Sequence, residues 1–258
     1  MPGPPKLSLV CSYRRRPAYL DLLLSRLTDI RKHERFTAFE LIVVEGDAQP
    51  TVDHLAGQYD WVRYLYVPLP GVFNRSLLTN RGAAIAQGEY LMTYDVDLLP
   101  GDGVLSNHLA LAAASPICLV SGYRLQLPEM LSEPVVIPEV NRLIEESAAR
   151  RKSLICPEDS HGSLLKYLLC GEKSGVCTCY PMKAFISVGG LDQEFVGWGS
   201  EDQDLMGRLC DGGLVLVRSY DLLYYHLPHE RDEHWYNSEL AEANRARFDE
   251  KRRATRSQ

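Results

Sequence analysis

Strand-length apolar runs alternate with helical stretches from Leu7 to Asp95, and this alternation limits the chain to few folds. LSLVCSY (7–13) reads as a strand, and PAYLDLLLSRLTDIRKH (17–33) as an amphipathic helix opening on Pro17. FELIVVEGD (39–47) and DWVRYLYVPL (60–69) read as the second and third strands. NRSLLTNRGAAIAQG (74–88) reads as a helix ending at Gly88, and EYLMTYD (89–95) as a fourth strand. Such alternation predicts a mostly parallel central sheet flanked by helices. Sheets of that kind bind ligands beyond the carboxyl ends of their strands. Tyr13-Arg14, Glu45-Gly46-Asp47 and Asp95-Val96-Asp97 all fall at those ends.

The second half is read more coarsely. Residues 123–174 form a proline-interrupted excursion with a charged helix near 139–152. The alternation resumes with a strand (175–180), a short helix (181–187), a Gly189-Gly190 turn, a helix (201–211) and a strand (214–218). A long polar helix (236–254) follows. A chain of 258 residues accommodates these as one α/β domain. Its net charge of −6 gives no global attraction to nucleic acid. No apolar run approaches the roughly 18 residues of a membrane span, and the only apolar run near the start, 7–11, is too short for a signal peptide. A cytoplasmic protein is expected. The seven cysteines are odd in number and scattered, and Cys177-Thr-Cys179 matches no second pair, so buried thiols are expected rather than a disulfide or zinc framework.

Four segments carry chemistry. Asp95-Val96-Asp97 offers hard carboxylate oxygens suited to Mg²⁺ or Mn²⁺, or else turn carboxylates. GWGSEDQDLMGRLCDGG (197–213) predicts a helix from 201 with Ser200 and Gln203 as a capping box. Glu201 and Asp202 then sit in its first turn, where the positive helix end favours ionised carboxylates and one can act as a general base. Trp198 between glycines is expected to be exposed for stacking on a sugar, with core packing as the bland alternative. His226 and His229 follow a strand-like run and could add imidazoles to a cation held by Asp97, which would favour Mn²⁺ over Mg²⁺. Arg14, Arg16 and Arg75 could engage a diphosphate, whereas Arg15 and Arg81 read as solvated surface.

SYRRRPAYL, VFNRSLLTNRG, YDVDLLPGD, GVCTCYPMKAFISVGGLDQEFVGWGSEDQDLMGRL and HLPHERD resemble, in order and spacing, motifs of the β-1,4-galactosyltransferase family. The resemblance covers about two-thirds of the chain and extends to bacterial GT-A enzymes with a galactosyltransferase-like C-terminal half. It implies a single Rossmann-like GT-A domain. Residues 1–122 would be the nucleotide-sugar half, 123–174 a variable excursion, 175–235 the acceptor and catalytic half, and 236–258 a C-terminal helix and tail. It implies inverting transfer of a hexose or N-acetylhexosamine, galactose-type favoured, from a UDP-sugar to a saccharide or other hydroxyl acceptor. Mn²⁺ would assist, with Mg²⁺ as the alternative.

By that resemblance Asp97 and His229 bind metal, Asp95 contacts the donor, and Val96 joins the nucleotide-sugar pocket. Tyr13, Arg14, Arg16, Phe73 and Arg75 complete that pocket. Asp202 is the general base, Glu201 binds sugar, and Trp198 covers the site. His226 stands where animal members often have methionine. GEKSGV (171–176) lacks the family's aromatic residue that influences donor choice. A retaining GT-A transferase and a non-catalytic nucleotide-sugar- or glycan-binding protein are the alternatives. The basic C-terminal helix reads as solvated surface, with peripheral contact to the inner face of a membrane as its second reading.

Overall fold

The structure, a computed structural model, describes residues 4–127, 175–229 and 237–256. The helix expected near 139–152 and most of GEKSGV lie outside the described residues. One eight-stranded mixed sheet runs in the order β3-β2-β1-β4-β7-β6-β8-β5. The strands are β1 Leu7–Tyr13, β2 Phe39–Asp47, β3 Val62–Pro68, β4 Tyr90–Tyr94, β5 Leu98–Pro100, β6 Cys118–Gln126, β7 Val176–Pro181 and β8 Val215–His226. The described helices are α1 Pro17–His33, α2 Arg75–Ile85, α3 Val104–Ala114, α4 Met182–Ser187, α5 Glu201–Asp211 and α6 Ser238–Arg256.

The expected α/β class is observed. β1 pairs in parallel with β2 and β4, and β2 with β3. Beyond β4 the sheet turns mixed, because β7 runs antiparallel to both β4 and β6. Alternate residues of the central strands feed two separate cores, as the period of two requires. Leu9, Cys11, Leu41, Val43, Met92 and Tyr94 face the core completed by Leu23 and Leu27 of α1 and Leu105 of α3. Val10, Ile42, Val44 and Leu91 face the other, completed by Leu78 of α2 and Leu205, Met206 and Leu209 of α5.

Three elements were not anticipated: β5, α3 and β6. β5 pairs antiparallel with the end of β8, setting Leu98 opposite His226. α2 stops at Ile85 rather than Gly88. The next amides are taken by side chains: Gln87 N–H by Glu40 (2.6 Å) and Gly88 N–H by Ser8 (2.9 Å). Among the described residues no helix is long and apolar enough to cross a membrane. The cations of α6 are largely spent internally: Lys251 pairs with Asp192 and Asp204, Arg247 with Asp192, and Arg252 with Asp211.

Gly82 sets how closely α2 approaches the sheet. A Cβ there would meet Val44 Cγ2 at 2.8 Å and crowd Val10 still more tightly. Overpacking of about 1–3 kcal/mol outweighs the gain of about 1 kcal/mol in helix propensity. Gly82→Ala is therefore expected to lower the denaturant midpoint, and a midpoint at or above wild type would contradict the close packing.

Candidate active site

The carboxyl ends of β1 and β4 and the start of α5 open onto one cavity of about 660 Å³, within the range typical of small-molecule sites. Its lining includes Arg14, Arg16, Phe73, Arg75, Asp95, Val96, Asp97, Trp198, Glu201, Asp202, His226 and His229. Twelve of the thirteen residues singled out in the sequence are thus brought together. The exception is Tyr13, the last residue of β1, which is fully buried. Its hydroxyl accepts the Arg16 N–H at 3.2 Å, so it braces the loop rather than touching a ligand.

At one end Asp97, His226 and His229 converge, their candidate ligand atoms all within 4.8 Å of one another. The β5–β8 pairing causes this: Leu227 N–H donates to the Asp97 carbonyl at 2.8 Å, and both imidazoles follow from β8. His229 Nε2 lies 3.0 Å from Asp97 Oδ2, and His226 Nε2 lies 3.8 Å from Oδ1. Burial opposes ionisation of Asp97. The His229 hydrogen bond and the charges of His226 and Arg16 outweigh it and hold the carboxyl down at about 2. The Arg16 guanidinium also contacts Asp97 and approaches His229 Nδ1 at 3.3 Å. His226 Nδ1 is buried with no hydrogen-bond partner among the described residues. Two imidazoles and an ionised carboxylate form a donor set that fits a divalent cation.

Arg75 links this end to the opposite one. It is held between Asp95 (3.2 Å) and Glu201 (3.4 Å). Burial disfavours its charge, but Asp95, Glu201 and Asp202 outweigh that and keep it firmly protonated. Burial, and then the Asp202 charge, push Glu201 up to about 7 despite Arg75. Burial likewise raises Asp202, again against Arg75. The positive end of α5 does not cancel that desolvation.

The expected capping box at Ser200 is absent. Ser200 is left-handed at φ 69°, and its side chain makes no cap bond. Asp202 Oδ1 instead accepts Gln203 N–H at 2.8 Å, and Glu201 Oε2 accepts Gly199 N–H at 3.1 Å. The glycine-rich loop takes positive φ at Gly197 and Gly199 (76° and 113°), which a side chain would strain. It is anchored by Gly197 N–H to Phe73 O (2.9 Å) and by the buried Asn244 amide to Trp198 O (3.1 Å). Trp198 is 52% exposed, so it is not a core residue.

Arg14 is spent on the backbone, donating to Leu69 O and Gly71 O at 2.7 and 2.8 Å and to Gly46 O. It lies over the Phe73 ring. Arg15 is exposed, as expected, but it is also paired. It forks onto buried Asp47 with two contacts of 2.6 Å and lowers that carboxyl. Cys177 and Cys179 are buried free thiols on β7, as expected. Arg124, Tyr180 and Arg218 also line the cavity and were missed; Arg124 and Arg218 sit in ordinary strand patterns with no motif around them, and Tyr180 lies within a motif that gave it no role.

A model of the N-terminal domain of galactosyltransferase matches residues 165–230. Validoxylamine A glucosyltransferase of Streptomyces hygroscopicus subsp. jinggangensis (strain 5008) is 29% identical over 259 residues, covering 90% of this chain and 58% of that protein. Chondroitin sulfate N-acetylgalactosaminyltransferase 2 of Mus musculus is 27% identical over 187 residues, covering 70% of this chain and 31% of that protein. The chain thus spans little more than half the length of the first of these relatives. The catalytic domain of Drosophila β1,4-galactosyltransferase 7, solved in complex with xylobiose, superposes with a TM-score of 0.48 at 19% identity. It covers 83% of this chain and 64% of that one. The resemblance read from the motifs is borne out: a galactosyltransferase model matches part of this chain, which over most of its length is similar to glycosyltransferases.

Proposed function

We propose that the chain is an inverting glycosyltransferase moving a hexose or N-acetylhexosamine from a UDP-sugar to an acceptor hydroxyl. The observation that carries this reading is the shared cavity: Asp97, His226 and His229 at one end, Glu201 and Asp202 at the other. The relatives' names include glucosyl and N-acetylgalactosaminyl transfer, so the donor sugar is stated as a class, with galactose-type favoured by the motifs. Membrane contact through α6 forms no part of this reading, because Asp192, Asp204 and Asp211 neutralise cations it would need.

Asp97, His226 and His229 would hold Mn²⁺, or Mg²⁺ in its place. Bound there, the ion supplies positive charge against the leaving diphosphate. The rest of the work falls to the chain. Arg16 is poised beside the same end to pair with phosphate oxygens. Arg75 fixes Asp95 toward the donor and Glu201 toward the sugar. Glu201 in turn secures the Gly199 amide, and Trp198 presents its exposed face over the site. Asp202 takes the proton of the attacking hydroxyl on the face opposite the leaving group. Burial gives its carboxylate more basicity than an exposed one, which suits a base working near neutral pH.

Asp202→Asn should retain UDP binding by calorimetry but lose transfer by about 10²–10⁴-fold. The readout is UDP release from UDP-galactose, UDP-glucose and UDP-N-acetylgalactosamine over a saccharide panel. Transfer at the wild-type rate would remove Asp202 from the mechanism. The base acts only when ionised, so kcat/KM should fall as pH drops through the pair's raised range. The Arg75 charge lowers both Glu201 and Asp202. Arg75→Met should therefore move that acid limb to higher pH, and a limb unmoved or shifted downward would contradict the pairing.

A further inference from the structure

Arg218 on β8 lines the cavity, yet no carboxylate partners it among the described residues. Its Cζ stacks 4.4 Å from the centre of the buried Tyr123 ring, and its Nε is buried without a hydrogen-bond partner. A guanidinium placed over an aromatic ring keeps its charge and forked donors for planar anions. A buried donor left unmet, as Arg218 Nε is, is costly unless a ligand answers the guanidinium.

Its position excludes the donor diphosphate. In the β6–β8 ladder Ser121 lies opposite Arg218 and Gln126 opposite His226. At about 3.3 Å per residue, those five steps put Arg218 roughly 16 Å along the sheet from the cation-binding end. Arg14, at the end of β1 on the nucleotide side, lies across β4, β7 and β6 from it. Arg218's own surroundings lead instead to α5. Ser121 Oγ accepts Val176 N–H at 2.9 Å, and the Thr178 hydroxyl lies 3.3 Å from Ser121 Oγ and 3.8 Å from Met206 Sδ. Arg218 therefore shares a wall with the helix that carries Asp202.

We propose that Arg218 recognises an anionic group, a carboxylate or sulfate, on the saccharide acceptor. A sugar reaching Asp202 with its hydroxyl would extend its acidic substituent toward Arg218. Calling the anion part of the acceptor rests on the glycosyl-transfer reading; the anion site itself does not.

Methyl β-glucuronide and methyl β-glucoside differ by carboxylate against hydroxymethyl, and glucose 6-sulfate carries the sulfated form. Their binding to the whole chain, with UDP and Mn²⁺ present, is measured by calorimetry. At least one anionic sugar should bind about ten-fold or more tightly than the glucoside. Arg218→Gln should abolish that preference, Arg218→Lys should retain part of it, and UDP affinity should stay unchanged in both. Equal binding of all three sugars to the wild type would overturn the proposal without any variant. So would a preference that survives in Arg218→Gln, or a loss of UDP affinity in a folded Arg218→Gln protein. Failure of the wild type to bind UDP while it still prefers the anionic sugar would count against glycosyl transfer and leave the anion site standing.

Discussion

A buried carboxylate must be answered by positive charge, and Asp97 is 5% exposed. Arg16 and His229 contact it directly, with His226 close by. They come from two distant parts of the chain: Arg16 from just after β1, the histidines from the end of β8. The short β5 strand brings them together by tying the segment after β4 to β8. Removing one partner of such a buried cluster typically costs about 3–5 kcal/mol. This charge requirement therefore joins the parallel half of the sheet to the mixed half, at the place where a ligand would bind.

The same cavity holds carboxylates in two contrasting states. Asp97 is held strongly ionised by the cations around it, while burial raises Glu201 and Asp202. Environments that push titratable groups apart separate their chemical roles. A carboxylate kept ionised suits a cation, and one with raised basicity suits proton transfer. Arg75 stands between the two sets and keeps the second from becoming fully neutral. The glycine-rich loop, tied to Glu201 through Gly199, places Trp198 beside these groups.

Much of this was legible in the chain, for identifiable reasons. α1 was read to the residue because Pro17 opens it and Leu20, Leu23, Leu27 and Ile30 keep helical spacing. β1 and β2 were equally clear as apolar runs ending in polar residues. β5 was not, since three residues carry no periodicity and Pro100 argues against a strand. It is an edge strand, where proline is tolerated. α3, VLSNHLALAAA, is apolar on most sides and gives no stripe to read. The Ser200–Gln203 spacing suggested a capping box, but Ser200 is left-handed and its hydroxyl makes no cap bond. Arg15 and Arg218 owe their roles to partners distant in sequence, Asp47 and Tyr123, which no local pattern reveals.

Crystals of the chain grown with UDP and Mn²⁺, read by anomalous scattering, address the central claim most directly. The account predicts one manganese peak at coordination distance from Asp97, His226 and His229. The diphosphate should lie against it, and Arg16 should be turned from Asp97 to the phosphates. Manganese bound elsewhere, or UDP bound with Arg16 still on Asp97 and no metal beside it, would contradict that claim.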